Sequence, residues 1–250
     1  MCLITLAWKT HPDCQLVVVA NRDEWRNRPA TAAHWWPDSP HLVAGRDLQA
    51  GGSWLGATRS GRFAAVTNFR DPNDRQARSR SRGELVTGFL QSAVSPVDYL
   101  HALAACASDY QGFNLLVSDG ETLAYFSNRE GRVRALEPGV HALSNHLLNS
   151  PWPKLTRARQ ALANHLHGED DALFGLLADT TPAPDHALPD TGVGLERERA
   201  LSAMLITGER YGTRSTTIVR LGPSGGRLAE RTLDSDGRVA STVALEWAVP

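Results

Sequence analysis

Three consecutive stretches near the N-terminus decide the fold: Met1-Cys2-Leu3-Ile4-Thr5-Leu6-Ala7-Trp8, then Gln15-Leu16-Val17-Val18-Val19-Ala20, then Asn21-Arg22-Asp23-Glu24. The first two are apolar and β-rich. Between them Lys9 to Cys14 carries Pro12 and Asp13, which favour a turn, so the pair reads as an antiparallel hairpin with a longish loop. In a hairpin the end of one strand lies beside the start of the other. The polar tetrad is therefore expected to follow the second strand and to sit beside Cys2.

Working outward, residues 25 to 62 are rich in Trp, Pro, Gly and Asp and read as loops and short strands. Arg62 to Phe69 is a strand candidate ending at Asn68, and Asp71 to Arg80 is a polar, Arg-rich loop. Ser81-Arg82-Gly83-Glu84 has the spacing of a capping box opening a helix over 83–92. Ser95-Pro96 opens a second helix running to about Ala107. Phe113 to Ser118 and Thr122 to Ser127 form a hairpin around Asp119-Gly120, and Val133 to Leu136 with Val140 to Ser144 read as a further pair. Lys154 to His167 and Asp171 to Ala178 have helical spacing, whereas Thr180 to Gly194 is irregular. Thr216 to Leu221, Arg227 to Leu233 and Thr242 to Val249 close the chain as strands. Strands in sequential pairs, with helices grouped between them, predict an α+β fold of antiparallel sheets in one domain over 1–250.

The 250 residues hold 26 Lys and Arg against 27 Asp and Glu, a net charge of −1. Nucleic-acid binding through phosphate neutralisation wants a basic surplus that is absent here. With 42% hydrophobic and 21% charged residues, the chain is too apolar for disorder. No apolar run nears the roughly 20 residues of a spanning helix, and the N-terminus lacks a signal-peptide pattern, so a cytoplasmic location is expected. Cys2, Cys14 and Cys106 form no Cys-x-x-Cys pair, which argues against a disulfide framework. The nine histidines show no metal-binding spacing, and no Walker or Gly-x-Gly-x-x-Gly loop is present. Covalent c-type haem lacks its Cys-x-x-Cys-His; non-covalent haem binding has no sequence pattern to test.

Cys2 is the leading chemical candidate. A small residue at position 2 permits removal of the initiator Met, which exposes a thiol and an α-amine on one residue. An α-amine near 7.7–8.0 can take the proton of a thiol near 8.5, so nucleophile and base coincide. The alternative is an inert cysteine in a strand. Beside it, Arg22 can lower the thiol pKa or bind an anionic substrate group, and Asp23 can hold or orient the amine. Asn68 and Asn145 each end an apolar strand, where an amide can donate to an oxyanion or cap a turn. Arg214, among the hydroxyls of Tyr211 to Thr217, either lines a polar pocket or belongs to a turn.

With these residues in view, the chain resembles the NRDE family, the relatives of the transport and Golgi organisation protein 2. The resemblance rests on Met1-Cys2, Ala20 to Trp25, Arg28-Pro29, Gly51 to Gly56, Thr67 to Phe69, Arg82 to Val86, Gly112 to Leu116, Leu143 to Asn145, Pro151 to Lys154 and Tyr211 to Thr217, in the family's order. It implies the four-layer αββα sandwich of N-terminal nucleophile hydrolases. Their cysteine-type members carry an Arg-Asn-x-Asp segment after the second strand, whereas here the order is Asn21-Arg22-Asp23-Glu24, with Arg and Asp shifted. On this basis Cys2, Arg22, Asp23, Asn68 and Asn145 are candidate catalytic residues, and Asn21, Glu24, Trp54 and Arg214 candidate substrate-binding ones. Two functions follow from the resemblance. One is an amidohydrolase or acyltransferase acting through Cys2 on a small molecule with no required cofactor. The other is a non-catalytic protein that binds and traffics haem, or binds a lipid or acyl-coenzyme A, in the same pocket. The sequence leaves the oligomeric state open.

Overall fold

Strands β1 (Cys2–Trp8) and β2 (Leu16–Trp25) pair antiparallel, with Cys2 opposite Arg22 and Ile4 opposite Ala20. The computed structural model describes residues 2–74, 76 and 78–249. The predicted hairpin is present, but Asn21 to Glu24 continue β2 instead of following it. The reason is a partner distant in sequence: a later strand, Tyr211–Gly222, pairs with β2 from Trp25 back to Leu16 and satisfies the tetrad's backbone groups.

Residues 25–62 form more regular structure than expected: β3 (Ala30–Trp36), β4 (Ser39–Asp47) and β5 (Leu55–Thr58). They are followed by β6 (Phe63–Asn68), α1 (Gly83–Leu90), α2 (Pro96–Ala104), β7 (Phe113–Ser118), β8 (Leu123–Ser127), β9 (Arg134–Ala135) and β10 (Gly139–Leu143). The C-terminal part contributes α3 (Pro153–Asn164), α4 (Asp170–Gly175), α5 (Leu195–Ala200), β11 (Tyr211–Gly222), β12 (Gly225–Leu233) and β13 (Val239–Ala248). Ser95 caps α2 through its hydroxyl, which accepts from the Asp98 N–H at 3.2 Å. The box expected at Ser81 and Glu84 does not form. Arg82 is the N-cap residue, and the Glu84 carboxylate is taken by Tyr110 at 2.6 Å and Arg80 at 2.5 Å.

The strands build two antiparallel sheets, one in the order β10-β1-β2-β11-β12-β13 and the other in the order β3 to β9 in sequence. The expected pairing of residues 133–136 with 140–144 is therefore corrected. β9 joins β8, whereas β10 crosses to the other sheet and pairs with β1, because Pro138 and Gly139 turn the chain between layers.

Strand alternation divides the core in two. Ile4, Leu6, Val18 and Ala20 face Val43, Phe63, Ala65 and Leu116 between the sheets. Leu3, Val17 and Val19 face outward onto Leu155, Leu162 and Leu173 of α3 and α4. On the far side Leu85, Phe89 and Leu100 of α1 and α2 cover Leu115, Val117 and Phe126. The result is the four-layer αββα sandwich. At 25 cal/mol per Å², each such buried Leu or Phe contributes on the order of 1.5–3 kcal/mol. No helix among the described residues is long and apolar enough to cross a membrane.

Candidate functional site

A cavity of about 410 Å³ opens between the sheets at the end where β1 begins. Register sets its floor: Cys2 lies opposite Arg22, Arg22 opposite Ser215, and Ser215 opposite Thr232, a row across four neighbouring strands. One step inward, Thr217 lies opposite Glu230. All of these except Thr217 line the cavity, together with Asp23, Glu24, Trp54, Asn68 and Arg214. Met1 lies outside the described residues, so its removal is not addressed by the geometry.

The Cys2 side chain is nearly covered, with the residue 8% exposed. Burial pushes its thiol pKa up, and the Asp23 carboxylate adds to this. The Arg22 guanidinium and the Asp23 backbone N–H pull the other way by favouring the thiolate. The Cys2 carbonyl accepts from the Ser144 hydroxyl at 2.8 Å, which ties the start of β1 to the end of β10.

Asn68, at the end of β6, reaches the cavity from the opposite sheet, and its side-chain amide makes no hydrogen bond among the described residues. It is available to a ligand. Asn145 does not line the cavity. Its Nδ2 donates to the Asn68 carbonyl at 3.0 Å and its Oδ1 accepts from Ser144 at 3.1 Å, so it holds the segment that presents Asn68. Asn21 also turns away, because alternation sends Arg22 inward and Asn21 outward. Its Nδ2 donates to the carbonyls of Leu177 (3.0 Å) and Met204 (2.8 Å), and its Oδ1 accepts from Thr216 at 2.7 Å. The roles expected of Asn145 at an oxyanion and of Asn21 at a substrate thus have no cavity-facing group behind them. Asp23 is buried and its Oδ1 accepts from Thr213 at 2.7 Å. Glu24 Oε1 accepts from the Trp25 N–H, and Arg214 donates to the carbonyls of Trp25 and Arg28.

Seven arginines line the cavity against four carboxylates, although the chain as a whole carries a net charge of −1. Four are neutralised at ion-pair distance: Arg28 by Asp47, Arg46 by Asp38, Arg78 by Asp74 and Arg80 by Glu84. Arg22, Arg82 and Arg214 have no carboxylate within that distance among the described residues. Arg82 enters beside a tight contact that explains two glycines. A Cβ on Gly52 would stand 2.6 Å from the Gly83 carbonyl carbon, so only glycine lets the β4–β5 loop pack on the start of α1.

Arg82, Glu230, Ser215 and Thr232 were not anticipated from the sequence. The signal for Glu230 was present, since Leu228, Glu230 and Thr232 alternate onto one face of a strand, and a carboxylate among inward positions marks a polar pocket. Glu230 bridges the sheets, accepting from the Ala33 N–H at 2.8 Å and from the Thr217 hydroxyl at 3.1 Å. Burial raises its pKa against those donors.

A cysteine heading the first strand of an αββα sandwich, its side chain opening between two antiparallel sheets, defines the fold of the N-terminal nucleophile hydrolases. A mutant conjugated bile acid hydrolase from Clostridium perfringens superposes with a TM-score of 0.50 at 13% identity, over 98% of this chain and 92% of that one. The chain belongs to the Transport and Golgi organisation 2 family, whose profile matches residues 1–235. The Transport and Golgi organization protein 2 homologs of Bos taurus and Homo sapiens are each 33% identical to it over 267 residues, covering 97% of this chain and 92% of theirs. The Transport and Golgi organization protein 2 of Drosophila melanogaster is 26% identical over 64% of this chain and 63% of its own.

Proposed function

We propose that this protein is a thiol-dependent acyl transferase or amidohydrolase acting on a small molecule that carries an anionic group. The observation behind this reading is that one cavity joins the Cys2 side chain to three guanidiniums, Arg22, Arg82 and Arg214, that have no carboxylate at ion-pair distance among the described residues. Guanidiniums held in a partly desolvated site bind carboxylate or phosphate strongly, through paired donors.

In this reading Met1 is removed and the Cys2 α-amine accepts the thiol proton. The thiolate attacks the acyl carbonyl carbon, and the Asn68 amide donates to the developing oxyanion. The tetrahedral intermediate collapses, the bond to the leaving nitrogen or sulfur breaks, and the α-ammonium returns its proton to the leaving group. Water or an amine then attacks the thioester, the same amine takes its proton, and Cys2 is released as the thiol.

The haem alternative finds less support in the lining. None of the described residues around the cavity is His, Met or Tyr, and the one sulfur ligand on offer, Cys2, is pushed toward its neutral thiol.

Intact-mass analysis of the full chain incubated with paired acyl donors, one anionic and one neutral, tests the proposal. The expected result is loss of Met1 and an acyl adduct on Cys2 that neutral hydroxylamine releases, formed faster from the anionic donor. Retention of Met1, or equal labelling of Cys2→Ala, would overturn it.

A further inference from the structure

The cavity that holds Cys2 has a second polar end, which the acyl-transfer steps do not use. Glu230, on β12, is buried yet lines the cavity, with Ser215 and Thr232 on the same floor. One of its carboxylate oxygens accepts from the Ala33 N–H at 2.8 Å and the other from the Thr217 hydroxyl at 3.1 Å. The Ser215 hydroxyl also favours its ionised form. None of these donors carries a charge. Arg22 attracts the carboxylate from beyond ion-pair distance, and no Lys, Arg or His among the described residues lies within that distance. A carboxylate has about four acceptor directions, so one remains for a ligand.

The opposite sheet is shaped around this group. The β3–β4 register shifts between Thr31 and His34, and the Ala33 N–H inside that irregularity is spent on Glu230 instead of on the ladder. Bridging the sheets at this point needs an acceptor and no charge. A glutamine would serve with less desolvation. Burial pushes Glu230 toward the neutral acid, and a cation entering the cavity reverses that.

Sheet register sets the distances. Cys2, Arg22, Ser215 and Thr232 occupy successive strands, and Glu230 stands two residues from Thr232 on the same face. At about 4.8 Å per strand, Arg22 is one spacing from Cys2, and the strand of Glu230 is three spacings away, roughly 14 Å. Both carboxylate and thiol reach into the cavity, which leaves a ligand on the order of 10 Å to span. A ligand with its acyl carbon at Cys2 therefore meets a guanidinium first and a carboxylate further on. An extended lysine side chain covers that span.

We propose that Glu230 is a specificity-determining residue that receives a primary ammonium group, so that the substrate is an N-acylated diamino acid of lysine type, its acyl carbonyl at Cys2, its α-carboxylate at Arg22 and its side-chain ammonium at Glu230. The inference rests on the reading of the cavity as an acyl-transfer site and names the substrate class of that site.

The test is calorimetric titration of the full chain carrying Cys2→Ala, which binds without turnover, with Nα-acetyl-lysine and with Nα-acetyl-norleucine. The two probes share the acyl group, the α-carboxylate and the carbon chain, and differ only in the ammonium. The lysine compound is expected to bind about tenfold to hundredfold more tightly, the range of one charge-assisted hydrogen bond. Adding Glu230→Gln, which keeps an acceptor for Ala33, should bring the two affinities together, with thermal melts confirming folding. Equal affinities in the chain that retains Glu230 overturn the proposal without any further variant. So does failure of both probes to bind at millimolar concentration, or a lysine preference that survives Glu230→Gln. Binding needs no thiol. A lysine preference without an acyl adduct on Cys2 in the wild type therefore sinks only the catalytic reading, and an acyl adduct on Cys2 without a lysine preference sinks only this inference.

Discussion

Cys2 and Arg22 are antiparallel partners on the first two strands and leave the sheet on the same face, so the guanidinium stands beside the thiol in the cavity. Arg22 favours the thiolate electrostatically, while burial opposes it. Replacing Arg22 by Met should therefore slow alkylation of Cys2 at pH 7.5 by about threefold to tenfold. Arg22→Lys should lose less. Iodoacetamide kinetics resolved by mass spectrometry measure this, and unchanged rates in Arg22→Met would contradict the assignment.

Asn21 and its neighbour have opposite fates. The Asn21 amide closes three buried hydrogen bonds that fix β2 to Leu177, Met204 and Thr216. Asn21→Ala leaves those groups without partners, and the expected loss is about 2–4 kcal/mol of unfolding free energy. Urea denaturation checks this. A value within 0.5 kcal/mol of wild type, roughly that of a surface substitution, would show that the segment does not depend on the amide.

Asn68 and Asn145 should separate in the same way. In the acyl-transfer reading, Asn68→Ala slows acyl-adduct formation by about 10²-fold, the usual cost of one oxyanion donor, with little change in melting temperature. Asn145→Ala should lower the melting temperature, because Asn145 holds the Asn68 carbonyl and Ser144. Single-turnover trapping and thermal melts on both variants distinguish the two effects.

The Arg70–Glu198 pair fastens α5 behind β1 and β2, and Glu198 also accepts from the Thr191 N–H and hydroxyl. Glu198→Ala strands a buried guanidinium and is expected to cost about 3–5 kcal/mol. The double variant Arg70→Met/Glu198→Leu should recover most of that loss. Equilibrium denaturation of the single and double variants provides the comparison.

Lys154 gives stability a distinct dependence on pH. Its pKa falls on folding from 10.5 to about 8, so between these values the unfolded chain binds more protons and stability rises with pH. Complete traversal of that window is worth about 3 kcal/mol at 1.36 kcal/mol per unit. Above pH 10 the buried tyrosines act oppositely, since folding raises Tyr99 and Tyr125 from 10 to about 12. Urea midpoints should therefore climb from pH 8 to pH 9 in the wild type and stay level over that range in Lys154→Met, before the thiols of Cys2 and Cys14, raised by burial, begin to pull stability down in both.

The sequence by itself determined the first hairpin, the placement of Asn21 to Glu24 beside Cys2, the helices after Ser95 and Pro153, and the α+β class. Each of these is written in local alternation, helical spacing or turn chemistry, which act over a few residues. Only the tertiary structure decided which member of the tetrad does what. Arg22 and Glu24 enter the cavity and Asn21 leaves it because β11, nearly two hundred residues further on, fixes the face each side chain takes. The same holds for Arg82, Ser215 and Glu230, which come to line the Cys2 cavity through sheet register and a glycine contact, and for β10, which pairs with β1 instead of its sequence neighbour. A strand's period states that alternate residues face opposite ways; what lies on either side is settled by partners that the local sequence does not contain.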